Sequence, residues 1–304
     1  MTGRELWVMK EVAMHAVMGA SGNVGSRVTE LLLQDGQAVR VFGRSGERLE
    51  RFGRQGAEVV VGDALNLDDL LVLFKGAGAA LVVLPDNVTD RNYVSNRSEM
   101  SRAITEALGE HRVGHVVLAS SLGADRDRGV GQVAGLHQLE ELLFSIEEAN
   151  VLSLRAAWHM ENLLAAVPMV QEQRINGSAI KGDLRFPMIA TVDIAERAAS
   201  RLLRRDFAGH TVETVLGPED VSMDEATRAL GAALGIPELP YVQFPPEGVK
   251  MALQGMGMSE EFVSLLVESQ DAINEGRILE GIERTPESTT PTTLEEFLRG
   301  ALAR

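Results

Sequence analysis

A doubly wound α/β fold, a parallel sheet with helices on both faces, is what this sequence predicts, and three observations carry it. Apolar runs of strand length alternate with segments of helical periodicity through the first half of the chain. The runs are mainly apolar, as strands buried on both faces are. The first of them passes through a glycine-rich turn directly into a helix.

Residues 12–18 (VAMHAVM) form the first expected strand, and beyond Asn23 the positions Val24, Val28, Leu31 and Leu32 recur at helical spacing. Between them stands Gly19-Ala20-Ser21-Gly22-Asn23-Val24-Gly25. Gly19 permits a tight turn, Gly22 lets the backbone approach a ligand, and Gly25 lets helix and strand pack closely. A helix start offers free N–H groups and partial positive charge, so the motif points to a pyrophosphate and hence to a dinucleotide. Its spacing, G-x-x-G-x-x-G, resembles the form usual in short-chain dehydrogenases.

The pattern then repeats. A strand at 38–42, ended by Gly43-Arg44-Ser45, is followed by a short helix at 47–52. A strand at 58–61, closed by Gly62-Asp63, is followed by a helix at 67–74. The fourth strand, 79–84, stops at Pro85; a helix at 94–108 leads to a fifth strand at 115–119, and a helix at 136–149 to a sixth at 151–155. In the second half the rhythm is lost: a helix at 193–203, a strand at 211–216, and helices at 222–234, 246–256 and 259–274. Thr293, with Glu296 three residues on, caps a final helix. The expected division is an NAD(P)-binding Rossmann domain over 12–156, rejoined by elements near 190–216. A smaller, mainly helical substrate lobe over 157–304 then lies across the carboxyl edge of the sheet.

The chain of 304 residues is long enough for a large core, and its hydrophobic share of 45% is that of a globular protein. A net charge of −15, with no basic run, opposes direct binding of nucleic acid. Cysteine is absent, which excludes disulfides, thiolate catalysis and cysteine-ligated metals. No apolar run reaches the roughly eighteen residues of a membrane helix, and Arg4, Glu5, Lys10 and Glu11 break any signal-peptide core. A cytoplasmic location is expected.

Arg44 follows the second strand, where a Rossmann unit meets the adenosine ribose. An acid there favours NAD; an arginine pairs with a 2′-phosphate, so NADP(H) is preferred over NAD(H), the alternative being a solvated surface arginine. Asp63 is placed either to hydrogen-bond the adenine or to cap the next turn. Leu84 and Pro85 are expected to offer backbone and apolar contacts along the cofactor path. Ser120 and Ser121 end the fifth strand, where an open α/β sheet has its ligand crevice.

A short-chain dehydrogenase continues from such a serine to Tyr-x-x-x-Lys, and this chain does not. It reads Val133-Ala134-Gly135-Leu136-His137, and its only tyrosines are Tyr93 and Tyr241. His137 is expected either beside the nicotinamide or bonded to backbone or Glu141. Leu136, Leu139, Leu143 and Ile146 make the buried stripe of that helix, with His137, Glu140 and Glu141 beside it. The four-residue interval from His111 to His115 is interrupted by Gly114, so no metal site is expected. Met251, Met256 and Met258 are expected to pack the lobe or line a pocket.

Taken together, the chain resembles the NmrA-like branch of the atypical short-chain dehydrogenases, and within it the NAD(P)H:quinone-oxidoreductase-like members. The likeness rests on the glycine motif, Gly62-Asp63, Ser120-Ser121-Leu122-Gly123-Ala124 and Gly135-Leu136-His137 with Glu140. It continues through Leu154-Arg155, Trp158, Glu161-Asn162-Leu163-Leu164, Asp193-Ile194-Ala195, Tyr241-Val242-Gln243 and 290–297. It implies a Rossmann fold with a small C-terminal lobe. The implied activity is reduction of a quinone or similar small molecule, or else redox sensing through a regulatory protein partner; a homodimer is a further expectation. In the reductase reading His137 and Ser121 serve the reaction, Ser120 joins them in flanking the nicotinamide, and Trp158, His159 and Asn162 line the acceptor pocket. Hydride delivery to a ketone creates a basic alkoxide that needs a nearby acid. A quinone yields a far less basic oxygen that water can protonate, so the missing tyrosine argues against carbonyl reduction only.

Overall fold

The computed structural model describes residues 14–303, so Val12 and Ala13, and the segment expected to precede the first strand, lie outside the described residues. Strands and helices alternate strictly in the first half. They run β1 (Met14–Met18), α1 (Asn23–Gln34), β2 (Val39–Gly43), α2 (Gly46–Arg54), β3 (Glu58–Val61), α3 (Leu67–Phe74) and β4 (Ala77–Val82). They continue with α4 (Tyr93–Glu110), β5 (His115–Ser121), α5 (Ala134–Phe144) and β6 (Asn150–Ala156). After β7 (Trp158–His159), α6 (Val167–Gln173), β8 (Asn176–Ser178) and β9 (Arg185–Ile189), α7 (Thr191–Arg204) and β10 (His210–Val215) return to the main sheet. The remainder comprises β11 (Asp220–Ser222), α8 (Met223–Ala233), β12 (Tyr241–Gln243), α9 (Pro246–Gly255), α10 (Glu260–Asn274) and α11 (Leu294–Leu302).

The main sheet has the order β3-β2-β1-β4-β5-β6-β10, with every neighbouring pair parallel. The direction of strand progression reverses between β1 and β4, and there an open α/β sheet has its ligand crevice. Apolar runs build the inner strands because both faces are covered there, whereas the edge strand β3 is mostly exposed. Val17, Val117 and Leu152 pack under α1 and α7, while Met18, Val116 and Leu118 pack under α3, α4 and α5. Among the described residues no helix is long and apolar enough to cross a membrane.

Several boundaries differ from expectation, and two of them bear on the site. β4 leaves the sheet at Val82, two residues before Leu84. α5 ends at Phe144 rather than 149, because the chain needs the turn at 145–149 to re-enter the sheet; Ile146 N and Ala149 N donate to Leu143 and Ile146 carbonyls there.

The second lobe has its own core, with Met160, Leu163, Phe186, Met188 and Leu230 fully buried. Besides helices it contains two small sheets. β9 pairs parallel to β7 and antiparallel to β11, and β12 pairs parallel to β8. Reciprocal capping boxes open α8 (Ser222 and Glu225) and α11 (Thr293 and Glu296). Met258 packs near Tyr93 and Phe262; of the two alternatives for Met251 and Met256, packing in the lobe is not the one found, since Met251 on α9 and Met256 just after it are 70% and 74% exposed.

Among the described residues the lobe is fastened at several places, two of them by backbone hydrogen bonds. The start of α10 docks on the start of α4: Phe262 meets the Tyr93 ring edge-on at 5.3 Å, Ser259 N donates to Val88 O, and Val94 N donates to the Glu261 carboxylate. Near the C-terminus, Leu216 N donates to Ser288 O and Thr290 N to Leu216 O. The buried Asp193 carboxylate of α7 accepts from Thr292 Oγ1 at 2.6 Å and from Thr292 N.

Candidate functional site

Gly19 adopts a positive φ of 75°, and a Cβ there would stand 2.9 Å from Val83 Cβ. Gly25 has ordinary backbone angles, but a Cβ would come to 2.3 Å from Gly19 O, so only glycine lets α1 start this close to the turn. Gly22 N donates to Gly19 O, which closes the turn and leaves Ser21, Gly22 and Asn23 exposed. Ala20 and Val24 are buried and offer a ligand only their backbones. The first N–H groups of α1 have no intrahelical partner, its N-cap is a glycine, and its first turn carries no acid. A glycine cradle with an uncapped helix start is a fit for a pyrophosphate.

Arg44 is exposed directly after β2, and among the described residues none hydrogen-bonds or pairs with it. Of the two readings of Asp63, the capping one is formed: Oδ1 accepts from Leu65 N at 3.0 Å, while Asp63 N donates to Asp69. Leu84 is buried in the core beside Val82, so of the pair Leu84 and Pro85 only Pro85 remains partly open. The side chain beside the glycine turn is that of Val83, one residue before the expected contact.

At the end of β5 the two serines part. Ser121 is half-buried and its Oγ donates to Leu122 O at 3.1 Å. Ser120 is buried, and its Oγ donates to Glu140 Oε1 at 2.5 Å. Glu140 does not lie beside the buried stripe of α5 as expected but within it, 1% exposed, paired with Arg155 Nη2 at 2.6 Å. Register explains the grouping: Ser120 stands opposite Arg155 in the β5–β6 pair, and α5 covers both. Ser120 is therefore committed to this network and does not present its side chain to the crevice.

His137 takes the backbone option. Its Nδ1 lies 2.9 Å from Ala124 O, which can only accept, so Nδ1 carries the proton. No described residue partners Nε2. Val133, where the dehydrogenase pattern has tyrosine, is buried. A cleft of about 470 Å³ lies between the first turns of α4 and α5, lined by Tyr93, Arg97, Gln132, His137, Gln138 and Leu265. Tyr93 and Arg97 are buried and both reach Asp86 on the loop after β4, and burial pushes the Tyr93 phenol well above its ordinary range. This trio was not foreseen, since nothing in the spacing of residues 86, 93 and 97 marks it.

Trp158 meets Phe186 edge-on at 6.0 Å and belongs to the wall of the lobe core. His159 is half-buried, and desolvation pulls its imidazole below the ordinary histidine value, opposed by Glu161. Asn162 is exposed, whereas Glu161 turns inward to accept from Thr191 N and Thr191 Oγ1 at the start of α7. His111 ends α4 while His115 opens β5 and faces Phe207, so the two do not share a face; among the described residues no three acidic or histidine side chains cluster for a metal.

Comparison with known proteins agrees with this geometry. The sequence matches the NAD(P)H-binding family over residues 19–152, from the first glycine into β6. A protein named NAD(P)H azoreductase, from Xenophilus azovorans, is 26% identical across 86% of this chain and 85% of its own. The NADPH-dependent quinone oxidoreductase of Escherichia coli, complexed with NADPH, superposes with a TM-score of 0.79 at 20% identity, covering 95% of this chain and 99% of that one. The triphenylmethane reductase of Citrobacter sp. gives 0.75 at 19% identity, covering 96% and 100%. The glycine turn at the switch point of a seven-stranded parallel sheet and these likenesses agree: residues 19–152 match an NAD(P)H-binding domain, and the chain as a whole shares its fold with NADPH-dependent quinone oxidoreductase, triphenylmethane reductase and NmrA.

Proposed function

We propose that this protein is an NAD(P)H-dependent oxidoreductase that reduces a quinone, an azo compound or a similar conjugated acceptor, with NADPH preferred. One observation carries the reading. The site is built to hold a pyrophosphate, yet Val133 stands buried where carbonyl reduction needs an acid. The relatives named for quinone, azo and dye reduction support the same acceptor class and weigh against a purely regulatory role.

When bound, the reduced dinucleotide supplies a hydride. The chain itself binds and orients. The start of α1 holds the pyrophosphate, and Arg44 meets the 2′-phosphate. Ser121 and His137, with its proton fixed on Nδ1, border the nicotinamide end. Trp158, His159 and Asn162 follow β6 directly and face the acceptor.

The test is to mix purified protein with NADPH or NADH and follow oxidation with quinones, azo dyes and, as a counter-set, simple ketones. Oxidation with the conjugated acceptors and none with the ketones is expected. No turnover with any acceptor, together with unequal affinities for oxidised and reduced cofactor, would replace this reading with that of a redox sensor.

A further inference from the structure

Asp86 stands on the loop that leaves β4 beside the glycine turn, the loop whose Val83 nearly touches Gly19. Its side chain is 53% exposed, yet Oδ1 alone receives two donors from buried residues, Tyr93 Oη at 2.5 Å and Arg97 Nη1. Those donors are themselves fixed. The Arg97 guanidinium lies 5.2 Å over the Tyr93 ring, and Phe262 abuts that ring from α10. On the other side Arg97 is packed against Gly135, where a Cβ would stand 3.1 Å from Nε. No described residue partners Asp86 Oδ2.

An exposed carboxylate is well solvated in any rotamer, whereas burying a guanidinium and a phenol is costly unless they are paired. The arrangement therefore fixes one rotamer of Asp86, with Oδ1 turned to α4 and Oδ2 left to the open side at the carboxyl edge of the sheet. A dinucleotide held at the α1 start crosses the switch point between β1 and β4, and the loop after β4 borders that path. A carboxylate there repels phosphate and can only accept, so the ligand groups that suit it are hydroxyls.

We propose that Asp86 is a dinucleotide-binding residue whose Oδ2 accepts from the hydroxyls of the ribose on the nicotinamide side, with Tyr93 and Arg97 as its positioning residues. The inference rests on the NAD(P)H-binding reading of the site and adds a contact to it. The competing account makes Asp86 a counter-ion for Arg97 and nothing more. The two accounts differ in sign. An idle carboxylate near a diphosphate weakens binding, so neutralising it would strengthen binding or leave it unchanged; a carboxylate that accepts from ribose hydroxyls strengthens it.

The experiment measures affinities of NADPH, ADP-ribose and ADP for the wild type, Asp86→Asn and Tyr93→Phe by calorimetry. ADP-ribose keeps the second ribose and ADP lacks it. Asp86→Asn retains an acceptor for Tyr93 and Arg97, and it should weaken NADPH and ADP-ribose roughly fivefold to tenfold. ADP should be held within about twofold. Tyr93→Phe leaves the ion pair and should cost ADP-ribose roughly threefold, again sparing ADP. Equal or tighter ADP-ribose binding by Asp86→Asn would overturn the proposal, and so would equal losses for ADP and ADP-ribose in both variants. A wild-type protein that fails to bind NADPH would instead remove the dinucleotide reading, and the role of Asp86 with it.

Discussion

Glu140 bridges two strands from above: its Oε1 accepts from Ser120 Oγ of β5 at 2.5 Å, and its Oε2 accepts from Arg155 Nη2 of β6 at 2.6 Å. Removing one partner of such a pair leaves the other uncompensated. Glu140→Ala should cost about 3 kcal/mol in urea unfolding. Replacing both charges, as in Glu140→Leu with Arg155→Met, should recover most of that loss, since a matched apolar pair avoids desolvation altogether. A double variant no more stable than Glu140→Ala would show that the network is worth more than charge compensation.

Arg44 is the sharpest test of cofactor choice. Arg44→Asp removes charge-assisted hydrogen bonds to a 2′-phosphate, each worth about 1.5–3 kcal/mol, and adds a carboxylate that can accept from the ribose of NADH. The NADPH-to-NADH affinity ratio should fall about tenfold or more. An unchanged ratio would make Arg44 a solvated side chain, as its lack of partners among the described residues also permits.

Gly25 and Gly22 should respond differently to one added methyl group. At Gly25 the new Cβ would lie 2.3 Å from Gly19 O, a backbone atom that cannot step aside; at Gly22 the same atom is 3.4 Å away. Gly25→Ala should lose about 1–3 kcal/mol and dinucleotide binding with it. Gly22→Ala should unfold close to the wild type while binding dinucleotide less well, because its methyl group meets the ligand rather than the protein. Thermal unfolding and NADPH titration of the pair would separate the two roles.

The imidazole of His159, desolvated and held below its ordinary value, ties stability to pH. In the window just below pH about 6.5 the unfolded chain takes up this proton and the folded one does not, so stability falls as pH falls. One such group gives a slope of at most about 1.4 kcal/mol per pH unit. His159→Phe should flatten the loss of unfolding free energy between pH 7 and pH 5.5. His115, also pulled down by burial and by Arg205, should leave a residual slope.

The alternation from β1 to β6 was legible because inner strands of a covered sheet are written as mainly apolar runs and the edge strand β3 keeps three consecutive valines, and the Thr293–Glu296 box because capping is local. Glu140 was misplaced because helical spacing defines a face but not its width. At the edge of the stripe a charge can turn inward when a partner such as Arg155, fifteen residues on, awaits it. β7, β8, β11 and β12 are only two or three residues long and owe their form to pairing across the lobe, which leaves no periodicity to read. Val83 rather than Leu84 borders the glycine turn because β4 leaves the sheet at Val82, two residues before the apolar run ends.

The seventh strand of the main sheet, β10, comes from beyond residue 209, and its end is latched by Ser288 and Thr290. During synthesis the first six strands leave the ribosome with β6 as a bare apolar edge, while the lobe is still being made. Domains that fold as the chain emerges can usually close before the next begins. Here the nucleotide-binding half must wait, its Leu152 and Leu154 covered late by α7 and β10. Nascent chains halted near residue 160 should therefore be the aggregation-prone species of this protein, the ones most dependent on a chaperone.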